Sequence, residues 1–441
     1  MTRQRDFKAL VRERMSKTGE RYTTARAHVL AKPARRVSAP ALPGILEGYD
    51  SFGGIQRGTA AIRNVLGYIG LNSPLGAPPS EAMINGLCGG PGFLYAVFEY
   101  KGWPPLLTLA LTNRSMPDVY AEQGLSRLGV KIAKHETSGR ATAQRILDDA
   151  LAAKQAPLCV VDAASLPYLG LPREFVGGAP HVVAVVGRDG DTYWVDDRQP
   201  SPIGVSTHVL AAARAAYRHA KNRLVIVQRP DKKPTKQEAM KSVADALRDT
   251  ARRYVDPAVP KSFAGNCGFA GLEKWRTALT DAKDKRGWPT LFKDGPRAYA
   301  ALHRAYEDIE CGVSAGGRAF YAEFLDDLSD VPGHSRLGEA AAAYRESADA
   351  WARIGSLIAN CPDRAVRDAC TIADRRVELA DESGPATSSE GATLWQKRQK
   401  LGEECRLDAT TARALYEEIA ALVGSIIDSE RRAAARLEPG S

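Results

Sequence analysis

No apolar run in this 441-residue sequence is long enough to cross a bilayer. The longest, such as Pro104 to Leu111 and His181 to Val186, stop far short of a span. The basic N-terminus has no apolar core behind it, so no secretory signal is read and the cytoplasm is the expected compartment. Cysteine is sparse and unpatterned. The seven residues, Cys88, Cys159, Cys267, Cys311, Cys361, Cys370 and Cys405, form no C-x-x-C, and no His stands at zinc-site spacing from any pair. An odd count at irregular spacing reads as free thiols in a reducing compartment. No metal site and no cofactor motif is found. Acidic residues are scarce only at one end. Residues 1–36 hold eleven Lys and Arg against Asp6, Glu13 and Glu20, an excess of eight within a chain total of +9. The body is therefore nearly neutral, and the high isoelectric point does not argue for a nucleic-acid-binding body.

The length suits two or three domains. Residues 1–35 predict a basic helical hairpin appendage. Phe7, Leu10, Val11 and Met15 recur at helical spacing, Lys17 to Glu20 breaks the pattern, and Tyr22, Ala25 and Val29 resume it. Its surface is expected to be basic and solvated. Ala31 to Gly44, with three prolines, is a linker. Residues 45–228 alternate helices at Thr59–Tyr68 and Ala141–Ala153 with strands at Phe93–Tyr100, Pro157–Val161, His181–Gly187, Thr192–Val195 and Leu224–Gln228. Asp189-Gly190-Asp191 makes the turn of a hairpin. Helices first and antiparallel strands afterwards is an α+β pattern. A charged, Pro-punctuated linker at 229–237 leads to a helical domain, 238–380. A Ser- and Gly-rich loop at Glu382–Gly391 and a long helix over about 392–436, interrupted near Leu407-Asp408, close the chain.

Chemistry concentrates between Gly53 and Phe98 and around His181. His181 opens a strand and Asp197 follows the next one, sixteen residues on. Across a hairpin those positions are neighbours, so the carboxylate can fix the imidazole tautomer and stabilise its cation. With a nucleophile on the early helix this would be the layout of a papain-like thiol site. No Cys stands there. The positions at that helix start are Gln56, Arg57, Gly58 and Thr59. Gln56 can donate to an oxyanion, Arg57 can bind a carboxylate or phosphate, and Thr59 is an N-cap unless a base deprotonates it. Cys88, in Gly86-Leu87-Cys88-Gly89-Gly90, is the one Cys in a site-like setting; the competing reading is a small buried residue in a turn. In the helical half, Gly316-Gly317-Arg318 with Tyr321 offers a helix N-terminus to an anion, or merely a close helix approach allowed by glycine.

These residues resemble a known family. Gly58-Thr59-Ala60-Ala61-Ile62-Arg63-Asn64-Val65-Leu66, Ser80-Glu81-Ala82-Met83, Gly86-x-x-Gly89-Gly90-x-Gly92-Phe93, Leu166-Pro167-Tyr168 and His181 to Gly187 through Asp197-Arg198 look like the N-terminal domain of butirosin biosynthesis protein H. Asn266-Cys267-Gly268-Phe269, Gly287-Trp288-Pro289 and Gly317-Arg318-Ala319-Phe320-Tyr321 resemble the uncharacterised helical domain that commonly follows it. The resemblance covers about residues 45–360.

The resemblance implies a cysteine-peptidase-like α+β domain followed by an all-α domain, used in antibiotic biosynthesis for acyl transfer. The type member moves an acyl group from an acyl carrier protein thioester to an amine of an aminoglycoside. By position, His181 would be the base and Asp197 its orienter. Family members typically read His-Cys where this chain has Gln56-Arg57, so the family nucleophile has no counterpart. Three readings stay open: Cys88 as a relocated nucleophile, direct transfer with His181 deprotonating the amine, or a relative that only binds. Gln56, Arg57, Thr59, Arg318 and Tyr321 are the expected substrate contacts. A thioester donor, with or without a carrier protein, and a small amine are the expected partners, with self-association left open and neither membrane nor nucleic acid expected.

Overall fold

The computed structural model describes residues 3–18, 22, 25–26, 29, 42–56, 58–73, 75–76, 78–99, 101, 105–112, 117–171, 173–232, 234–311, 317–331, 333–382 and 385–437. In chain order the elements are α1 (Arg3–Thr18), α2 (Thr59–Tyr68), α3 (Glu81–Leu87), β1 (Pro91–Phe98), β2 (Leu106–Thr112), α4 (Pro117–Arg127), β3 (Lys131–His135) and α5 (Arg140–Ala152). Then come β4 (Leu158–Asp162), β5 (Pro180–Asp189), β6 (Thr192–Asp196), β7 (Ile203–Ser206), α6 (Thr207–Ala216), β8 (Leu224–Gln228) and α7 (Lys236–Val255). The remainder is helical: α8 (Gly268–Thr280), α9 (Gly295–Tyr306), α10 (Arg318–Ser329), α11 (Arg336–Ala359), α12 (Arg364–Glu382), α13 (Pro385–Glu404) and α14 (Ala409–Leu437). No helix among the described residues is long and apolar enough to cross a membrane.

Two compact units emerge, and neither is a continuous stretch. The first comprises Met1–Cys88, Met116–Val243 and Arg376–Thr393; the second comprises Gly89–Ser115, Ala244–Arg375 and Leu394–Ser441. The hairpin β1–β2 thus groups with the helical half, although in sequence it lies inside the expected 45–228 domain.

The first unit is built on a six-stranded antiparallel sheet in the order β3-β8-β4-β5-β6-β7. β5 is an inner strand, which explains its unbroken run of Val182, Val183, Ala184, Val185 and Val186: both faces are covered, so no polar alternation is needed. One face packs Val161, Val183, Val185 and Val195 against Leu147 of α5 and Leu210 of α6. α2 follows Gly58, whose φ of 81° suits glycine, and it buries Ile62, Val65 and Leu66. α3 is capped by Ser80, whose hydroxyl accepts from the Met83 amide at 3.0 Å.

The second unit sets β1–β2 on an aromatic core. Phe93 stacks on Trp275 at 5.8 Å, Trp275 stacks on Trp351 at 5.7 Å, and the Trp288 indole donates to the Tyr95 hydroxyl at 3.2 Å. Here α14 packs against α11 and α8.

Two expectations need correction. The Ser- and Gly-rich stretch predicted as a loop is helical from Pro385 onward, with Pro385 as the first helical residue, where its fixed φ and missing N–H cost nothing. The expected solvated surface of the N-terminal segment is seen at Leu10, Arg12, Glu13 and Lys17, which are exposed, but Tyr22, Ala25 and Arg26 are buried. The predicted break near Leu407-Asp408 is present. Asp408 accepts from the Thr410 and Thr411 amides and starts α14.

Candidate active site

His181 is the second residue of β5, and Asp197 directly follows β6. Antiparallel pairing brings them together: the His181 Nε2 lies 2.9 Å from the Asp197 Oδ2. The Tyr168 hydroxyl donates to the same oxygen at 3.2 Å. The ring is 8% exposed and the carboxylate lies deeper. An ionised Asp197 keeps the imidazole proton on Nε2, which leaves Nδ1 as the basic nitrogen. Among the described residues Nδ1 makes no hydrogen bond, so the imidazole is held from one side and available from the other.

The neighbouring carboxyl is equally buried and differently used. Asp196 accepts from the Tyr49 hydroxyl at 2.5 Å, the Asn64 amide at 2.9 Å and the Ser51 hydroxyl at 3.1 Å. Burial pushes its pKa up to about 7, against the opposing pull of those donors and of Arg63. It therefore ties the loop before α2, and α2 itself, to the strand end that carries Asp197.

That loop is shaped by a third buried carboxylate. Glu81 accepts from the Ile55 amide at 2.7 Å and the Gln56 amide at 3.3 Å, and its Oε2 lies 3.7 Å from the Arg63 guanidinium. The Thr59 hydroxyl lies 3.2 Å from Glu81 Oε1 and 3.1 Å from Gln56 Oε1. The Asn85 side-chain amide donates to the same Gln56 oxygen at 2.9 Å. Gln56 is 1% exposed, and among the described residues its Nε2 has no hydrogen-bond partner. Thr59 is fully buried against these groups, and its hydroxyl bonds within the loop. Arg57 lies outside the described residues.

Behind the loop, Asp381 of α12 is buried between two arginines, with Arg26 at 2.7 Å and Arg198 at 3.2 Å. Burial raises the carboxyl, but the two guanidinium charges outweigh it and hold its pKa below the usual range. Tyr22 donates to Asp381, and Arg26 also donates to the backbone oxygens of Gly54 and Arg198. The Gly54 amide donates to the Arg198 oxygen at 2.9 Å, which joins the loop before α2 to the residue after Asp197. Gln199 donates to the Ala380 oxygen at 2.7 Å.

The other sequence candidates fall elsewhere. Cys88 caps the C-terminal end of α3, is 1% exposed, and sets its Sγ against the bare Cα of Gly124 in α4, where any side chain would collide with it. No hydrogen bond joins it to His181 among the described residues. Arg318 is not an exposed anion site. It is fully buried in the second unit, paired with Glu430 at 2.7 Å, and it donates to the backbone oxygens of Leu111 and Gly92. Gly316 lies outside the described residues. The Tyr321 ring is fully buried against Gly90 and meets Tyr344 edge-on at 5.0 Å. Neither side chain faces solvent.

Sequence reasoning missed Asp196, Glu81, Tyr49 and Arg26. Asp196 and Glu81 sit inside stretches singled out for their pattern, each with an apolar neighbour on one side only, Val195 and Ala82. Nothing local marked Tyr49 or Arg26, because their partners are over 140 and 350 residues away in the chain respectively. Among the described residues no group of His, Cys, Asp and Glu could hold a metal ion.

Comparison with known proteins agrees with the motif reading in both halves. Residues 57–198 match the family described as Butirosin biosynthesis protein H, N-terminal, and residues 208–383 match Domain of unknown function (DUF4872). No curated protein matches the chain. The first match spans α2, Glu81, Tyr168, His181 and Asp197, the elements that build the site; this chain carries the butirosin biosynthesis protein H N-terminal domain, followed by the DUF4872 domain.

Proposed function

We infer that the chain is an amide-forming acyltransferase that moves an acyl group from a thioester to an amine by direct transfer. The observation that carries this reading is the His181–Asp197 pair, with Nε2 held at 2.9 Å and Nδ1 left as the base. The helix-then-sheet order is what a cysteine-peptidase-like domain would have, with Gln56 and Arg57 where a nucleophile would stand. A thioester is already activated, so no acyl-enzyme is required. The amine nitrogen attacks the thioester carbonyl carbon, the carbonyl π pair moves to oxygen, and His181 Nδ1 takes the ammonium proton. The oxyanion then collapses, the C–S bond breaks, and the departing thiolate receives the proton from Nδ1. The products are an amide and a thiol, and His181 is restored. A carrier-protein phosphopantetheine thioester and an aminoglycoside amine are the donor and acceptor that the family suggests.

The absence of a Cys at residues 56–57 favours a second reading, a relative that binds acyl thioesters without turning them over. One experiment separates the routes. Wild type, Cys88→Ala and His181→Ala are incubated with an acyl carrier protein thioester and an aminoglycoside, and both protein and small-molecule masses are read. Direct transfer predicts amide from wild type and Cys88→Ala, no protein adduct, and a loss of about a thousandfold in His181→Ala. An acyl adduct absent only from Cys88→Ala sinks direct transfer. No amide from any of the three leaves the binding reading.

A further inference from the structure

The Gln56 side chain is fixed at one end and unsatisfied at the other. Its Oε1 accepts from Asn85 at 2.9 Å and from Thr59 at 3.1 Å, while Nε2 is buried with no partner among the described residues. A buried amide left without an acceptor costs roughly 1–3 kcal/mol, and folded proteins seldom leave one without cause. The surroundings make the cost harder to dismiss. Three groups, Glu81, Thr59 and Asn85, hydrogen-bond to other atoms of this residue, yet none accepts from Nε2. Gln56 also precedes the N-terminus of α2, a ten-residue helix that no side chain caps and that has no acidic residue in its first turn. The Ala60 amide at that end is taken by the Gln56 backbone oxygen, and the helix dipole favours an incoming negative oxygen. Two residues before Gln56, Gly54 bonds the oxygen of Arg198, the neighbour of Asp197.

We propose that Gln56 Nε2 is a preset donor to the acyl carbonyl oxygen of the substrate, strengthening as that oxygen becomes an oxyanion. The proposal rests on the acyl-transfer reading and names the group that would stabilise its intermediate. Pinning Oε1 from two sides fixes the amide plane in advance, so the donor pays no reorganisation at the moment of attack. The ligand class is a thioester or other acyl carbonyl, with its oxygen toward the start of α2 and its carbon toward His181.

The test uses full-length protein labelled with 15N-glutamine. The probe is S-butyryl-N-acetylcysteamine, with an aminoglycoside as acceptor. The Gln56 side-chain amide is assigned by its loss in Gln56→Met. Gln56→Glu is the second variant: it keeps the length and an oxygen for Asn85 and Thr59 but removes the donor. The expected result is a downfield shift of the Gln56 amide protons as thioester saturates. It is accompanied by a fall of about a hundredfold in kcat for both variants, with the His181 limb of the pH profile unmoved. Turnover in wild type that survives in both variants within threefold overturns the role of Gln56 while acyl transfer stands. An amide shift with no turnover in wild type keeps Gln56 as a carbonyl donor and removes acyl transfer. Neither shift nor turnover overturns both.

Discussion

Two buried carboxylate pairs, one in each unit, look alike on distance alone. His181–Asp197 closes at 2.9 Å and Arg318–Glu430 at 2.7 Å. The difference lies in what remains after pairing. Arg318 donates to Glu430 and to the backbone oxygens of Leu111 and Gly92. Glu430 accepts in addition from Ser347 at 2.6 Å. Burial raises the Glu430 carboxyl, yet the Arg318 charge and these donors bring its pKa below the ordinary value. That pair is closed. His181 is held through one nitrogen and keeps the other, and in the same unit Gln56 keeps its Nε2 without a partner among the described residues. Burial and charge are therefore shared by both pairs, and unused hydrogen-bonding capacity is what the His181 pair keeps. Arg318 and His181 were both drawn from the sequence as candidates, and they differ in this and in burial, 0% against 8% exposed.

The sharpest way to break the comparison is to open the closed pair. Arg318→Met strands Glu430 in a fully buried setting, which costs about 3–5 kcal/mol. Denaturant unfolding followed by tryptophan fluorescence should show that loss, since Trp351 lies 5.4 Å from the guanidinium. Adding Glu430→Leu should recover much of it, because the uncompensated charge is then gone. A loss below about 1 kcal/mol in the single variant would mean that Glu430 finds water, and the pair would no longer count as closed.

The same operation on the open pair should damage chemistry and spare stability. Asp197→Asn replaces an acceptor with an amide that can donate to Nε2, which pushes the imidazole proton onto Nδ1 and removes the base. The expected loss is about a hundredfold or more in kcat, with the unfolding midpoint nearly unchanged. An active Asp197→Asn would mean that the tautomer is set by something other than this carboxylate, and the proposed role of His181 would fall with it.

What was legible follows from the range of the forces involved. The hairpin spacing of sixteen residues was enough to place His181 against Asp197, because strand pairing is local and its register is fixed by the turn. The apolar β5 run and the Leu407-Asp408 break were legible for the same reason. The pairing of Arg26 with Asp381 was not. It joins residues 355 apart, and a basic segment alone gives no sign of a buried carboxylate elsewhere. The helix from Pro385 was missed because Ser and Gly lower intrinsic propensity, a weak preference that context overrides. Cys88 drew attention through its glycine neighbours, but nothing in the sequence showed that its thiol would lie against Gly124.

Arg26 tests whether long-range braces resemble the closed pair or the open one. Arg26→Ala leaves Asp381 with Arg198 at 3.2 Å and Tyr22 at 3.0 Å, so the carboxylate stays paired and only one arm is lost. The expected cost is roughly 2 kcal/mol, less than for Arg318→Met. Because Arg26 also holds the backbone oxygens of Gly54 and Arg198, the loop before α2 should exchange its amide protons faster in the variant. An unchanged exchange rate at Ile55 and Gln56 would show that Glu81 alone fixes the loop.

The smallest expected effect is a pH slope from Asp196. Its pKa is raised to about 7 by burial, well above the ordinary carboxyl value that it regains on unfolding. The folded state therefore favours the protonated form. Its stabilising contribution is complete below about pH 4 and is lost as pH rises through about 7, at no more than about 1.4 kcal/mol per pH unit. Asp196→Asn keeps an acceptor for Tyr49 and Asn64 and presents an amide that the Ser51 hydroxyl can accept, so it removes the titration without opening the cluster. The variant's unfolding midpoint should fall less between pH 5 and pH 8 than that of wild type. Parallel curves would mean that Asp196 is ionised throughout this range, its charge carried by Tyr49, Asn64, Ser51 and Arg63, and it would then belong with Glu430 among the closed carboxylates.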